Sequence, residues 1–247
     1  MKILVCISSV PDTTSKINFT ADKSAFDKNG IQWVINPLDE FALTKAVKLQ
    51  ASGAKVTVVN VGGAETEAVI RKALAIGADD AIRVNVDPKD SYSTAKEIAA
   101  AAQAGGYDLI LCGKESLDYN GGAVPGMVAQ LLNQPFVNAA VGLEVNGTEI
   151  TAVREIEGGK ETVSVKLPAV VAGQKGLVAE NELIIPNMRG IMSARTKPLQ
   201  VLEASSSEVK VEGVSFDSVP ARASVKLVSP DNLDELVRLL HEEAKVI

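Results

Sequence analysis

The stretch that decides the fold covers residues 152–172, AVREIEGGKETVSVKLPAVVA. It reads as a strand, a tight turn at Glu157-Gly158-Gly159-Lys160, an alternating strand, and an apolar strand opened by Pro168. A Gly-Gly pair between alternating runs is hairpin chemistry, because glycine supplies the backbone conformations that short turns require. A basic residue (Arg154), the acidic-glycine turn, a glutamate (Glu161) and the proline-led Val170-Val171-Ala172 run stand at fixed offsets within it.

Towards the N-terminus the pattern changes period. Residues 2–7 (KILVCI) are a continuous apolar run and predict a buried strand, followed by a polar, irregular stretch to about Val34. Residues 37–51 predict a helix, with Pro37 in its first turn, Asp39 and Glu40 early, Lys45 and Lys48 late, and Gly53 beyond its end. Strands are expected at 55–61, 81–86 and 108–112, and helices at 65–76, 93–104 and 122–132. This alternation is the mark of a parallel sheet covered by helices on both faces, joined by right-handed crossovers. Residues 139–172 then switch to hairpins, with turns at Asn146-Gly147 and Gly158-Gly159, so antiparallel strands should flank one side. The expected fold is therefore α/β and Rossmann-like, with added antiparallel hairpin strands. Residues 186–225 are polar and irregular, Ser-rich at 205–207, and the chain closes with an amphipathic helix at 231–246. A structureless stretch of that length does not suit a compact domain. The reading is a nucleotide-binding α/β domain at 1–180 and a C-terminal arm at 181–247 that packs on something else.

Composition removes several function classes. The chain has 247 residues, net charge −6 and 4% aromatics, which argues against a nucleic-acid surface, where a basic face and stacking rings are needed. No run approaches the roughly 20 apolar residues of a membrane span, and MKILVCISSV is too short and strand-like for a secretory signal. Cys6 and Cys112 lie in apolar strand-like runs without metal-ligand spacing and predict reduced core thiols in an intracellular protein. His241, the only histidine, sits in the last helix, far from any glycine-rich loop. No catalytic or metal-binding set is expected.

Ligands of open α/β sheets bind at the carboxyl ends of the strands. Four loops qualify: residues 8–12, residues 36–39, Val61-Gly62-Gly63, and Gly113-Lys114 with 118–124 (DYNGGAV). In the last, Gly121 and Gly122 precede a helix whose first N–H groups favour an anion. The same glycines would also serve a plain strand-to-helix turn, and physics alone leaves both readings open. Neither the dinucleotide fingerprint nor the P-loop pattern is present.

The 152–172 stretch resembles the signature of the electron transfer flavoprotein beta subunit at Ala152, Arg154, Glu157, Gly158, Gly159, Glu161, Val163, Pro168, Val170, Val171 and Ala172. The segments 6–12 (CISSVPD), 36–43 (NPLDEFAL), 71–79 (RKALAIGAD) and 108–118 (DLILCGKESLD) are also similar to that family, so the likeness covers the whole chain. The resemblance implies a non-catalytic subunit of a heterodimer that carries electrons from acyl-CoA and related dehydrogenases to a membrane quinone oxidoreductase. It implies AMP in this subunit and FAD held mainly by the alpha subunit, in bacterial cytoplasm or the mitochondrial matrix. The nucleotide would be lined by Cys6, Asn36, Pro37, Leu38, Asp39, Val61, Gly113, Lys114, Asp118, Tyr119, Asn120, Gly121, Gly122, Ala123 and Val124. Asn36 is expected at the adenine edge and the 121–124 amides at the phosphate. Ser8 replaces the family's usual lysine, and residues 118–126 lack the polar set of electron-bifurcating members, which hold a second FAD; that variant and a stand-alone adenylate-binding module are the alternatives. Residues 181–197 resemble the family's recognition loop, with Met188 at the anchor position for a dehydrogenase, and Glu155 matches a residue near the flavin-domain contact.

Overall fold

The computed structural model describes residues 1–206, 208–222 and 224–247; Ser207, the last of the Ser-rich run, lies outside the described residues. The chain divides into two units, Met1–Lys16 with Lys28–Val214, and Ile17–Asp27 with Ser215–Ile247.

The first unit is a nine-stranded sheet. In chain order its elements, with a short two-stranded ribbon, are β1 (Lys2–Cys6), β2 (Ser9–Pro11), β3 (Trp33–Ile35), α1 (Pro37–Leu49), β4 (Lys55–Val61), α2 (Glu67–Ile76), β5 (Asp80–Asn85) and α3 (Ser91–Gly105). There follow β6 (Leu109–Gly113), α4 (Val124–Leu132), β7 (Phe136–Asn146), β8 (Glu149–Ile156), β9 (Gly159–Lys166), β10 (Ala169–Gly173), α5 (Met188–Ala194) and β11 (Leu199–Glu203). The sheet order is β11-β5-β4-β1-β6-β10-β7-β8-β9, and β2 pairs separately with β3. All strands from β11 through β7 run parallel, while β8 and β9 extend the sheet antiparallel. Leu4 of β1 and Ile110 of β6 pack with α3 and α4 residues such as Ala95 and Val128, whereas Ile3 and Val5 pack with Leu43 of α1 and Leu74 of α2. The expected parallel sheet with helices on both faces and antiparallel strands at one side is what forms.

Three expectations need correction. The apolar strand at the end of the 152–172 stretch is not part of the antiparallel flank: β10 inserts between β6 and β7, parallel to both. All five of its residues are buried, and a run apolar on both faces belongs inside a parallel sheet rather than at a half-solvated edge. Residues 186–225 are not wholly irregular, since they contain α5 and β11. The Arg71 guanidinium donates to the carbonyls of Ala194 and Lys197 at 2.9 Å each, and the Lys197 ammonium donates to Leu74 and Ala78 carbonyls at 2.9 and 2.6 Å. These bonds fasten α5 and the approach to β11 against α2, and a seven-residue helix held by such long-range contacts leaves little periodic trace. The helix expected at 231–246 is shorter, α6 (Leu233–Arg238) followed by a π-helical turn at Leu239–Glu243.

The second unit has little interior. Among its described residues Leu239 alone is buried, while Val219, Val225 and Leu227 are 89%, 81% and 88% exposed. It is held by the stacked rings of Phe19 and Phe216, 5.5 Å apart, and by the Phe216 N–H donating to the Lys23 carbonyl at 2.9 Å.

Candidate functional site

The strand order reverses at β1. The chain passes from β1 to β4 and β5 on one side, then returns to β6 on the other. Ligand crevices open at the carboxyl ends of strands at such a point, here between β1 and β6.

Asn36 and Asp39, at the start of α1, bring the crevice walls together. Asp39 is 4% exposed. Its Oδ2 accepts the Ser8 N–H at 2.8 Å, just beyond β1, and its Oδ1 accepts the Gly113 N–H at 2.8 Å, at the end of β6. Burial pushes its carboxyl up to about 7, against the pull of those two N–H bonds. Gly113 permits this approach, because a Cβ there would fall on the Asp39 carboxylate and 2.9 Å from the Leu38 Cβ. Asn36 is fully buried. Its Nδ2 donates to the Glu115 carbonyl at 2.8 Å, and its Oδ1 accepts the Leu117 N–H at 3.3 Å. The carboxamide thereby ties the start of α1 to the 114–123 loop, as a buried amide finds its partners in the nearest backbone.

The 114–123 loop carries the remaining features. The Lys114 N–H donates to the Gly173 carbonyl at 2.7 Å, and the Ser116 N–H to the Gly121 carbonyl at 3.1 Å, closing a small loop. Asp118, Tyr119 and Asn120 are exposed on it, and Asn120 takes a left-handed backbone with φ of 50°. The helix expected from Gly122 begins at Val124. Neither α1 nor α4 has a side-chain cap at its N-terminus, whereas α3, further along the edge, is closed by a reciprocal Asp90–Ser93 capping box. A Cβ added at Gly121 would meet nothing within 4 Å. An uncapped helix start beside a glycine with open space fits the backbone-amide cradle that a phosphate takes.

Cys6 and Val61 complete the set at the ends of β1 and β4, 7% and 9% exposed. Cys6 lies beside Cys112, whose thiol is pushed well up by a hydrogen bond with Cys6 and by burial. These thiols are inert core groups under ordinary conditions. The structure thus groups Cys6, Asn36, Pro37, Leu38, Asp39, Val61, Gly113 and Lys114 around the β1/β6 crevice.

Two polar residues of this edge escaped the sequence reading. Asn60 and Arg83 pair in register on β4 and β5 and are 3% and 7% exposed. The available signal was a polar residue near the carboxyl end of each strand, Asn60 in KVTVVNV and Arg83 in DAIRVN. Elsewhere, Met188 opens α5 and is 73% exposed, with Asn187 capping the helix by accepting the Gly190 N–H at 2.8 Å. Glu155 is exposed on β8, where its carboxylate accepts from the Gln174 amide.

A doubly wound parallel sheet with its crevice built at the switch point defines the Rossmann-like α/β class. The description "Electron transfer flavoprotein domain" matches residues 24–207. The chain is similar to "Electron transfer flavoprotein subunit beta" of Bacillus subtilis, 36% identical over 262 residues with 100% of both chains covered. It is 37% identical to the protein of that name in Syntrophomonas wolfei over 227 residues, covering 91% of this chain and 88% of the relative. The Homo sapiens protein of that name is 31% identical over 258 residues, covering 100% and 99%. The chain belongs to the electron transfer flavoprotein family, among its beta subunits, and its role lies in electron transfer. No helix among the described residues is long and apolar enough to cross a membrane.

Proposed function

We propose that this chain works as the beta subunit of a heterodimer, binds AMP in the β1/β6 crevice, and serves an alpha subunit that holds the FAD. The observation that carries the nucleotide reading is the uncapped start of α4 behind Gly121, where a Cβ would meet nothing within 4 Å. AMP's phosphate suits the amides of residues 121–124, and Asp39 and Asn36 serve by holding the crevice walls and the loop. Val61 and Cys6 supply apolar contact, and Lys114, Asp118, Tyr119, Asn120, Gly122 and Ala123 shape the rim. The FAD supplies reversible acceptance of electrons when bound; this chain contributes no reacting group to that step.

In this reading residues 1–180 are the nucleotide-binding domain and residues 181–247 the recognition loop and partner-packing arm. Support comes from the exposure of Met188 and from the apolar residues of the second unit, which its own fold leaves in solvent. Met188 would anchor an acyl-CoA dehydrogenase, Glu155 would stand near the flavin domain, and a quinone oxidoreductase would take the electrons. The setting is bacterial cytoplasm or mitochondrial matrix. Acid-released nucleotides from the chain co-purified with its alpha subunit test the assignment. One AMP and one FAD per heterodimer are expected; two FAD without AMP would replace it with the bifurcating reading, and neither nucleotide in this subunit would remove the site.

A further inference from the structure

Arg83 is a cation buried without a counter-charge. The residue is 7% exposed, and the acceptors of its guanidinium are neutral: the Gly62 carbonyl at 3.0 Å and the Asn85 Oδ1 at 2.8 Å. No carboxylate pairs with it among the described residues, and its Nε has no partner. Desolvated charge is costly unless something neutralises it. The neighbouring Asn60 has the same character: its Nδ2 donates to the Ile7 carbonyl at 2.9 Å, and its Oδ1 is unpartnered. The two side chains therefore grip Ile7 and Gly62, the residues that directly follow Cys6 and Val61 at the crevice.

We infer that Arg83 determines specificity in the crevice: its buried, unneutralised charge favours a ligand bearing a phosphate over the same ligand without one. The inference rests on the reading that an adenine nucleotide occupies the crevice. The chain carries a net charge of −6, so its overall field opposes an anion. A local cation held in low dielectric offsets that field at the strand ends. β5 lies three strands from β6, about 14 Å by ordinary strand spacing, and the guanidinium reaches back to Gly62 on the β4 side. A unit charge acting over about 10 Å through an effective dielectric of about 20 is worth roughly tenfold in binding. Arg83 touches no phosphate in this account; it acts through the field and through the fixed Gly62 backbone.

The test compares AMP with adenosine. Both are titrated calorimetrically into the nucleotide-stripped heterodimer carrying the parent chain, Arg83→Met, Arg83→Lys or Asn60→Asp. Arg83→Met should weaken AMP about tenfold and leave adenosine within about twofold. Arg83→Lys, which keeps the charge, should hold AMP within about threefold. Asn60→Asp places a carboxylate opposite the guanidinium and should reproduce the AMP-selective loss, which keeps the test open if Arg83→Met does not fold. Equal losses for AMP and adenosine would reduce Arg83 to a structural residue and overturn the inference, as would unchanged AMP affinity. A parent that binds neither ligand would instead fail the nucleotide site itself, and this inference with it.

Discussion

Asp39 reaches across the switch point to Gly113, accepting its N–H at 2.8 Å while its second oxygen accepts the Ser8 N–H at 2.8 Å. One buried carboxyl thereby ties the end of β6 to the end of β1, and the crevice has a fixed floor before any ligand arrives. The tie has an electrostatic consequence, because burial raises the carboxyl to about 7 from 3.8.

A group with a raised folded-state value holds its proton in the native state at pH values where the unfolded chain has lost it. Its contribution to stability is therefore full below about pH 4 and declines as pH rises to about 7. Asp39→Asn should flatten the fall in stability between pH 5 and 7.5, read from thermal melts of the heterodimer across pH. Its amide can accept only one of the two N–H bonds, so at pH 5 it should cost about 1–3 kcal/mol. Identical pH slopes for variant and parent would show that Asp39 does not titrate there.

Two glycines of the crevice should respond differently to a side chain. At Gly113 a Cβ would meet Asp39 and Leu38, so Gly113→Ala should destabilise the fold by about 1–3 kcal/mol. At Gly121 there is open space and no positive φ, so Gly121→Val should leave the ligand-free melting temperature nearly unchanged. Its branched side chain would occupy the approach to the 121–124 amides and should weaken AMP by at least about tenfold. Parallel effects of the two substitutions on stability and binding would contradict this separation.

Met188 is 73% exposed at the start of α5. Truncating an exposed side chain costs the fold less than about 0.5 kcal/mol, while losing an interface anchor costs about 1–2 kcal/mol in docking. Met188→Ala should therefore slow electron delivery from an acyl-CoA dehydrogenase roughly fivefold to thirtyfold, with the flavin spectrum unchanged. Stopped-flow reduction of the flavin reads both quantities. Equal rates would remove Met188 from the docking surface.

Much of this architecture was legible because the β1, β6 and β10 segments are apolar runs, and α1, α2 and α3 are followed by Gly53, Gly77 and Gly106. The crevice loops were legible from Asn36-Pro37 and Gly121-Gly122, which have no place inside a regular element. What escaped depends on distant partners. β11 is a five-residue strand whose register is set by β5, more than a hundred residues earlier. α5 lies close on α2 because Gly190 has no side chain, since a Cβ there would stand 2.5 Å from the Ala75 carbonyl oxygen. The bonds of Asn36 to Glu115 and Leu117 left no trace for a related reason: they close only once the sheet is formed. Glu97 would read as one charge in an alanine-rich helix. Instead it is 3% exposed and accepts the N–H groups of Ser205 and Ser206 at 2.8 and 2.9 Å.

The second unit makes the sharpest prediction about partnership. Among its described residues only Leu239 is buried, and its side-chain ion pairs, Lys23–Asp217, Lys226–Glu243, Arg238–Glu235 and Arg238–Glu242, are at the surface. Surface pairs of this kind contribute about 0–1 kcal/mol, which does not offset the ordering cost of more than thirty residues. Residues 215–247 should therefore open at low free energy when the chain stands alone, and a bound alpha subunit should cover Val219, Val225 and Leu227. Limited proteolysis under native conditions reads this directly. Cleavage between 215 and 230 should be fast in the isolated chain, at least about tenfold slower in the heterodimer, and should leave the sheet of the first unit intact. Equal resistance in both forms would mean that the segment is stable by itself, and the arm would lose its role in binding a partner.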